Sequence, residues 1–311
     1  MSNFTFSPAT KEQARARIAL TGPTGSGKTY TALVIGTALA KRVALIDTEH
    51  GSASKYADEF TFDTLQLAMF EPTSLVDALA VAAHDGYDVV IVDSLSHFWS
   101  GAGGMLEQVD NAAKRSGAGN TFAGWKEARP MERAMIEALL AYPGHVIVTM
   151  RTKTEYVVET DDRGRKVPRK VGLKPEQREG IEYEFDVVGD LDHENTLVIS
   201  KSRVKPLSGL VIRKPDVTFA NAVLDWLNVG KPTPSASDYL ATATDPNTTY
   251  EKLHLLYDEV RRHNLHAAAV RDPHGVSTTL GELIVRRGIA VREERARKEG
   301  TKEERARSEA E

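Results

Sequence analysis

Apolar residues in this chain follow two rhythms. Short unbroken runs occur at Arg17–Leu20 (RIAL), Val43–Thr48 (VALIDT), Thr64–Phe70 (TLQLAMF), Tyr87–Ser94 (YDVVIVDS) and His145–Met150 (HVIVTM). Between them, Lys28–Arg42, Ser74–Gly86 and Pro130–Gly144 repeat apolar residues every three to four positions, the last with proline near its start and Pro-Gly after it. The first rhythm predicts strands and the second predicts helices. Strands that are apolar throughout have no solvent face, so the alternation predicts a mainly parallel sheet flanked by helices.

The texture changes after Met150. Glu155–Lys170 reads as two β runs around the polar turn DDRG, and FDVVGDLD, TLVISKSR and GLVIRKP follow closely. Short strands so near in sequence predict an antiparallel extension of the sheet. Phe219–Asn228 reads as the last helix of this part. The expected organisation is an N-terminal arm over 1–16, an α/β core over 17–229 and a Pro/Ser/Thr-rich linker over 230–249. A small helical region over 250–290 and a charged tail over 291–311, disordered or a frayed helix, complete it.

Composition narrows the chemistry. The chain has no cysteine, which excludes disulfides, cysteine metal sites and thiol catalysis and points to a reducing cytoplasm. No apolar run approaches the ~20 residues of a membrane span, and the first residues lack a secretory apolar stretch. A formal charge of −4 leaves nucleic-acid binding to local basic patches.

GPTGSGKT (Gly22–Thr29) fits the G-x-x-x-x-G-K-[ST] pattern in full, between a predicted strand and a predicted helix. Here Gly22, Thr24, Gly25, Ser26 and Gly27 let consecutive N–H groups face phosphate oxygens, and Tyr30 follows them into the helix. Lys28 supplies charge to the terminal phosphates, and Thr29 supplies a hydroxyl to Mg²⁺. Asp93 ends the fourth strand, where a carboxylate can hold the Mg²⁺ shell. Glu49, past the end of the second strand, is placed to activate a water against the terminal phosphate. The structural alternatives are a helix-capping aspartate and an exposed loop glutamate.

GPTGSGKTYTALVIG, ALIDTEHGSASKYA, VVIVDS and TLVISKSRVKPLSG occur in that order between Arg15 and Asn228. Together they resemble the RecA-like recombinase ATPases, particularly compact phage-encoded members linked to single-strand annealing. The resemblance implies ATP and Mg²⁺ as cofactors, Glu49 as the water-activating base and Tyr56, seven residues on, as the adenine-packing ring. It also implies that Lys201 and Arg203 reach the γ-phosphate across a subunit interface of a homo-oligomer. Two positions depart from the pattern: Ala53 stands where an aspartate binds the base, and Thr149 where a glutamine senses the γ-phosphate. Gln177 is a substitute sensor. FSPA (Phe6–Ala9) resembles a docking segment for a neighbouring subunit.

The same resemblance implies two DNA-facing regions. The first, 99–130, carries Lys114, Arg115, Lys126 and Arg129 among Phe122 and Trp125; cations with aromatics suit sequence-tolerant single-strand binding. The second, 151–178, carries nine basic residues, with Arg163, Arg165, Lys166, Arg169 and Lys170 around its turn. The expected protein is an ATPase that assembles on single-stranded DNA for annealing or strand pairing, with a single-strand-binding protein as a further partner. A nucleotide-switched binding module, a helicase-type motor and a small-molecule kinase are the competing classes.

Overall fold

The structure, a computed structural model, describes residues 14–115, 120–160, 166–231 and 233–308, and for 154–160, 166–173 and 299–308 it describes the backbone alone. The docking segment expected at Phe6–Ala9 therefore lies outside the described residues.

The chain alternates β1 (Arg17–Gly22), α1 (Lys28–Leu39), β2 (Val43–Asp47), β3 (Asp63–Gln66), α2 (Pro72–His84) and β4 (Val89–Asp93). Three helices follow, α3 (His97–Ser100), α4 (Met105–Arg115) and α5 (Thr121–Ala141), before β5 (His145–Thr160) and β6 (Lys166–Pro175). Next come β7 (Val187–Leu191), β8 (Thr196–Ser202), β9 (Val211–Arg213) and α6 (Val217–Leu227). The main path of the sheet runs β3-β2-β4-β5-β1-β7-β8-β9, with β6 paired to β5. Strands β3, β2, β4, β5, β1 and β7 pair in parallel, whereas β8 and β9 run antiparallel, as does β6 against β5.

Every residue of β1 and β4 is buried, the outcome expected for continuous apolar strands covered on both faces. On one face Leu33 and Ile35 of α1 and Phe219, Val223 and Leu227 of α6 close over Ile18, Leu20, Leu45, Ile91 and Ile147. Each such side chain contributes roughly 1.5–3 kcal/mol by leaving water. The third apolar run is shorter than its sequence predicts. It pairs only over Asp63–Gln66, exposed at the sheet edge, while Phe70 turns away and is buried.

Two further expectations need correction. Pro130 lies inside α5, not near its start. A proline there removes one backbone donor, yet the buried Ala128 on one side and Met135 and Leu139 on the other hold the helix through it. The region 230–249 is also no bare linker, because it forms α7 (Ala236–Thr244). Ser235 and Asp238 make a reciprocal capping box that starts this helix despite the Pro/Ser/Thr-rich composition.

The described residues form two compact units. One comprises those up to Leu75 with Gly86–Arg133 and Gly144–Thr233, and it holds the large sheet. The other comprises Val76–Asp85, Ala134–Pro143 and the residues from Pro234 onward. In the second unit α7 is followed by α8 (Tyr250–Arg262), a small hairpin β10 (Ala269–Arg271) and β11 (Ser277–Thr279), and α9 (Leu280–Ser308). Tyr239, Ala243, Leu253, Leu256, Leu280, Leu283 and Ile284 share its core. The hairpin was not expected from sequence. The charged tail continues α9 through Ser308, the helical of its two expected states.

Candidate nucleotide site

The loop between β1 and α1 takes its shape from its glycines. A Cβ on Gly22 would stand 2.5 Å from the Leu191 carbonyl oxygen, so only glycine lets β1 leave the sheet beside β7. Gly27 caps α1 with φ of 83°, in the left-handed region, and turns the first helical N–H groups outward. Pro23, Thr24, Gly25, Gly27, Lys28, Thr29 and Tyr30 line a cavity of about 670 Å³. Gly22 and Ser26 do not line it. Ser26 is fully buried beneath the loop with its hydroxyl unpartnered.

Lys28 crosses back over the loop and donates through Nζ to the carbonyls of Gly22 at 3.0 Å and Pro23 at 2.8 Å. Burial holds its pKa below the usual lysine value, although Asp93 and Glu49 pull the other way. Two neutral carbonyls are weak partners for an ammonium, and a phosphate entering the loop offers a stronger one.

Asp93, at the end of β4, is buried and accepts from two hydroxyls. Thr29 Oγ1 donates to its Oδ2 at 2.6 Å, and Thr149 Oγ1 donates to its Oδ1. Burial raises the carboxyl pKa, and the two hydroxyl bonds oppose that rise. A hydroxyl and a carboxylate on one wall beside a phosphate loop are the oxygen donors a magnesium ion takes, directly or through water. The residues therefore fit Mg²⁺, which when bound would neutralise developing charge on phosphate oxygens. Thr149, which departs from the glutamine that the resemblance places there, holds Asp93 in this structure.

The acidic end of β2 divides its labour. Asp47 is buried, and its carboxylate accepts from the backbone N–H of Glu49 at 2.6 Å and of Gly51 at 2.8 Å, fixing the turn. Glu49 is left on the cavity wall. Its two oxygens are taken by Arg151, Nε to Oε1 at 3.0 Å and Nη2 to Oε2 at 2.9 Å. Burial pushes the Glu49 carboxyl up, but Arg151, His97 and Lys28 together bring it below the ordinary carboxylate range. Thr48 Oγ1 lies 2.6 Å from His97 Nδ1 and accepts from the Ser94 N–H, tying this turn to the one after β4.

Tyr30 and Tyr56 close another side of the cavity. Their rings meet edge to face at 5.6 Å, Phe60 lies 5.3 Å from Tyr30, and Tyr30 donates to Glu59 at 2.8 Å. An aromatic wall of this kind suits a planar base. Ala53 is buried and offers that base nothing.

The structure thus brings together Thr24, Gly25, Gly27, Lys28, Thr29, Tyr30, Glu49, Tyr56 and Asp93. It adds Arg151, Thr152 and Glu176, which sequence reading had not assigned to the site. Register explains the first of these, because Arg151 pairs with Gly22 across β5 and β1. Lys201 and Arg203 do not line the cavity. Lys201 donates to the carbonyls of Glu182 and Tyr183, and Arg203 pairs with Asp186 at 2.7 Å. Gln177 is also committed elsewhere, its amide donating to the Leu95 carbonyl at 3.0 Å.

Among the DNA candidates, Lys114 and Lys126 are exposed, and Arg115 pairs with Glu127 at 2.6 Å. The region expected as a loop is largely helical, in α3, α4 and α5. Trp125 packs with Trp99 against Met105, Val109 and Ala128, whereas Phe122 is 77% exposed. Arg163 and Arg165 lie outside the described residues. Lys166, Arg169 and Lys170 are on β6, their backbone alone described.

Among the described residues no helix is long and apolar enough to cross a membrane. No curated protein matches the chain. Residues 14–219 match the AAA domain, a span that takes in the phosphate loop, Glu49, Asp93 and the sheet carrying them. With that match and this site, the chain belongs to the AAA domain family, as a P-loop ATPase.

Proposed function

We propose that this ATPase is a DNA recombination protein of the RecA-like, phage type. It assembles on single-stranded DNA and promotes annealing or strand pairing while hydrolysing ATP with Mg²⁺. The observation that carries the reading is the continuity of β5. The strand that sets Thr149 on Asp93 and Arg151 on the cavity wall runs on to Thr160 and pairs with β6, in a segment that carries nine basic residues over 151–178. A polyanion held there would sit on the strand next to β4, which ends at Asp93, and on the strand whose Arg151 holds Glu49. Lys201 and Arg203 stay clear of the cavity in their own chain, which suits a role toward a neighbour's nucleotide.

A second reading is a nucleotide-switched DNA- or protein-binding module with slow hydrolysis. The Glu49–Arg151 pair favours it, because a carboxylate held by a guanidinium is a weaker base.

The test is steady-state ATP hydrolysis with and without single-stranded DNA, for wild type and Glu49→Gln. The recombination reading expects DNA to raise the wild-type rate and Glu49→Gln to bind ATP without turnover. A rate indifferent to DNA would remove the DNA assignment.

A further inference from the structure

The hydroxyl of Thr48 sits between the two turns that carry Glu49 and Asp93. Thr48 is fully buried, one residue before Glu49, and its N–H donates at 2.8 Å to the carbonyl of Asp93. Its Oγ1 accepts from the Ser94 N–H at 2.7 Å. The hydroxyl proton then has two acceptors within reach, His97 Nδ1 at 2.6 Å and the Ser94 carbonyl at 3.3 Å. The shorter contact takes it, so the imidazole accepts at Nδ1 and carries its own proton on Nε2.

The surroundings of His97 suit that neutral ring. It is half-buried and stacked on Phe70, with 5.0 Å between centroids and 22° between planes. Burial, aided by Arg151 from β5 and by His50, holds its pKa below the usual histidine value, while Glu49 and Glu176 pull the other way. The turn after β4 is braced from its far side. Leu95 donates to the Thr149 carbonyl at 2.9 Å and accepts from Gln177 at 3.0 Å, and Ser96 Oγ accepts from the Arg151 N–H at 2.9 Å. Asp47 shapes the turn after β2 from within, and Thr48 joins that turn to the braced one. A hydroxyl turns about its C–O bond unless its proton has a fixed acceptor. With His97 Nδ1 in place, the Thr48 lone pair stays on the Ser94 N–H.

We propose that His97 is a positioning residue for ATP hydrolysis, which through the Thr48 hydroxyl sets Glu49 relative to Asp93. The inference rests on the reading of Glu49 as the water-activating base. Water activated from one turn must line up with a phosphate held beside the other, so a small drift between the turns lowers the rate and leaves binding unchanged.

The test measures kcat, KM, melting temperature and affinity for a fluorescent ATP analogue. It compares wild type, His97→Phe, His97→Asn, Thr48→Val and the double variant of His97→Phe with Thr48→Val. Phenylalanine keeps a ring on Phe70 and loses the acceptor, whereas asparagine offers an amide oxygen near the Nδ1 position. His97→Phe is expected to lower kcat about tenfold with nucleotide affinity within about twofold of wild type. His97→Asn should keep at least about half of the wild-type kcat. Thr48→Val should lower kcat at least as far as His97→Phe, and the double variant should fall no further, the mark of two groups acting through one bond. Equal kcat in His97→Phe and His97→Asn, or losses that multiply in the double variant, overturn the positioning role. If His97→Phe melts early, Thr48→Ser against Thr48→Val repeats the comparison from the other partner, and equal rates there overturn it too. Glu49→Gln separates this inference from the reading beneath it. Turnover retained in Glu49→Gln overturns both. Turnover lost there, with His97→Phe at the wild-type rate, leaves the base standing and overturns the positioning role alone.

Discussion

Thr29 and Asp93, 64 positions apart in the chain, meet at 2.6 Å where the phosphate loop passes the end of β4. That single contact joins the two motifs from which a P-loop site is built. Thr149 completes the clasp from the strand lying between them.

Asp93→Asn should keep the fold, because the amide oxygen can accept from one threonine hydroxyl while its NH2 donates to the other, but it should lose the charge that holds a cation. Hydrolysis should fall by about a hundredfold or more. Nucleotide affinity measured with Mg²⁺ and with a chelator separates the roles. Wild type should weaken in the chelator, whereas Asp93→Asn should bind alike in both. A variant that still responds fully to Mg²⁺ would place the cation elsewhere.

Gly27→Ala should destabilise the first unit by about 1–2 kcal/mol through the left-handed conformation alone. The new methyl would also stand 2.8 Å from Asn195 Nδ2. Urea denaturation should show the loss, and a nucleotide titration should show weakened binding as the loop shifts. Unchanged stability would mean that the loop relaxes to another shape.

His145 sets a pH limit on stability. Its Nδ1 accepts from the Ala16 N–H at 3.0 Å, and burial, aided by Arg15 and Arg17, lowers its pKa to about 4. The unfolded chain takes up this proton near pH 6.5, before the folded one does, so acid favours unfolding. The contribution is complete above about pH 6.5 and is lost as pH falls toward 4, a change of about 3 kcal/mol at most. His145→Asn retains an acceptor without the proton, so its stability should be flatter over that window. Parallel pH curves for the two proteins would show that His145 does not carry the dependence.

Phe122 and Trp125 should part company. Phe122→Ala should leave the melting temperature near wild type and weaken single-stranded DNA binding, since a stacked base is worth about 1–3 kcal/mol. Trp125→Ala should destabilise instead, by about 3 kcal/mol, through the packing lost against Trp99 and Met105. Equal DNA affinity for wild type and Phe122→Ala would remove that ring from the interface.

The phosphate loop, Asp93 and Glu49 were legible in the sequence because each follows or ends a strand at one edge of the sheet, whereas Tyr56 was named only through the family resemblance. Arg151 was not legible. It follows an apolar run as one more basic residue of a basic segment, and only the pairing of β5 with β1 brings it beside the loop. Thr149 read as a missing glutamine until the structure set its hydroxyl on Asp93. The helix α7 was hidden for a different reason. Its composition is that of a loop, and its stability comes from one capping box and the burial of Tyr239 and Ala243. Trp125 misled because an aromatic among cations has the composition of a stacking platform, yet its neighbours in space are Trp99, Met105 and Val109.

The length of β5 has a mechanical meaning. From Arg151 to Thr160 the strand extends about 30 Å at the usual rise, with a bulge between Glu155 and Tyr156 where it bends. An arm of that length turns a displacement of about 2–3 Å at its far end into a rotation of about 5° at its root. Hydrogen bonds to Ser96 and Glu176 hold the root of this arm at Arg151, whose guanidinium reaches Glu49. One continuous strand thus ties the end of the hairpin to the wall of the phosphate loop.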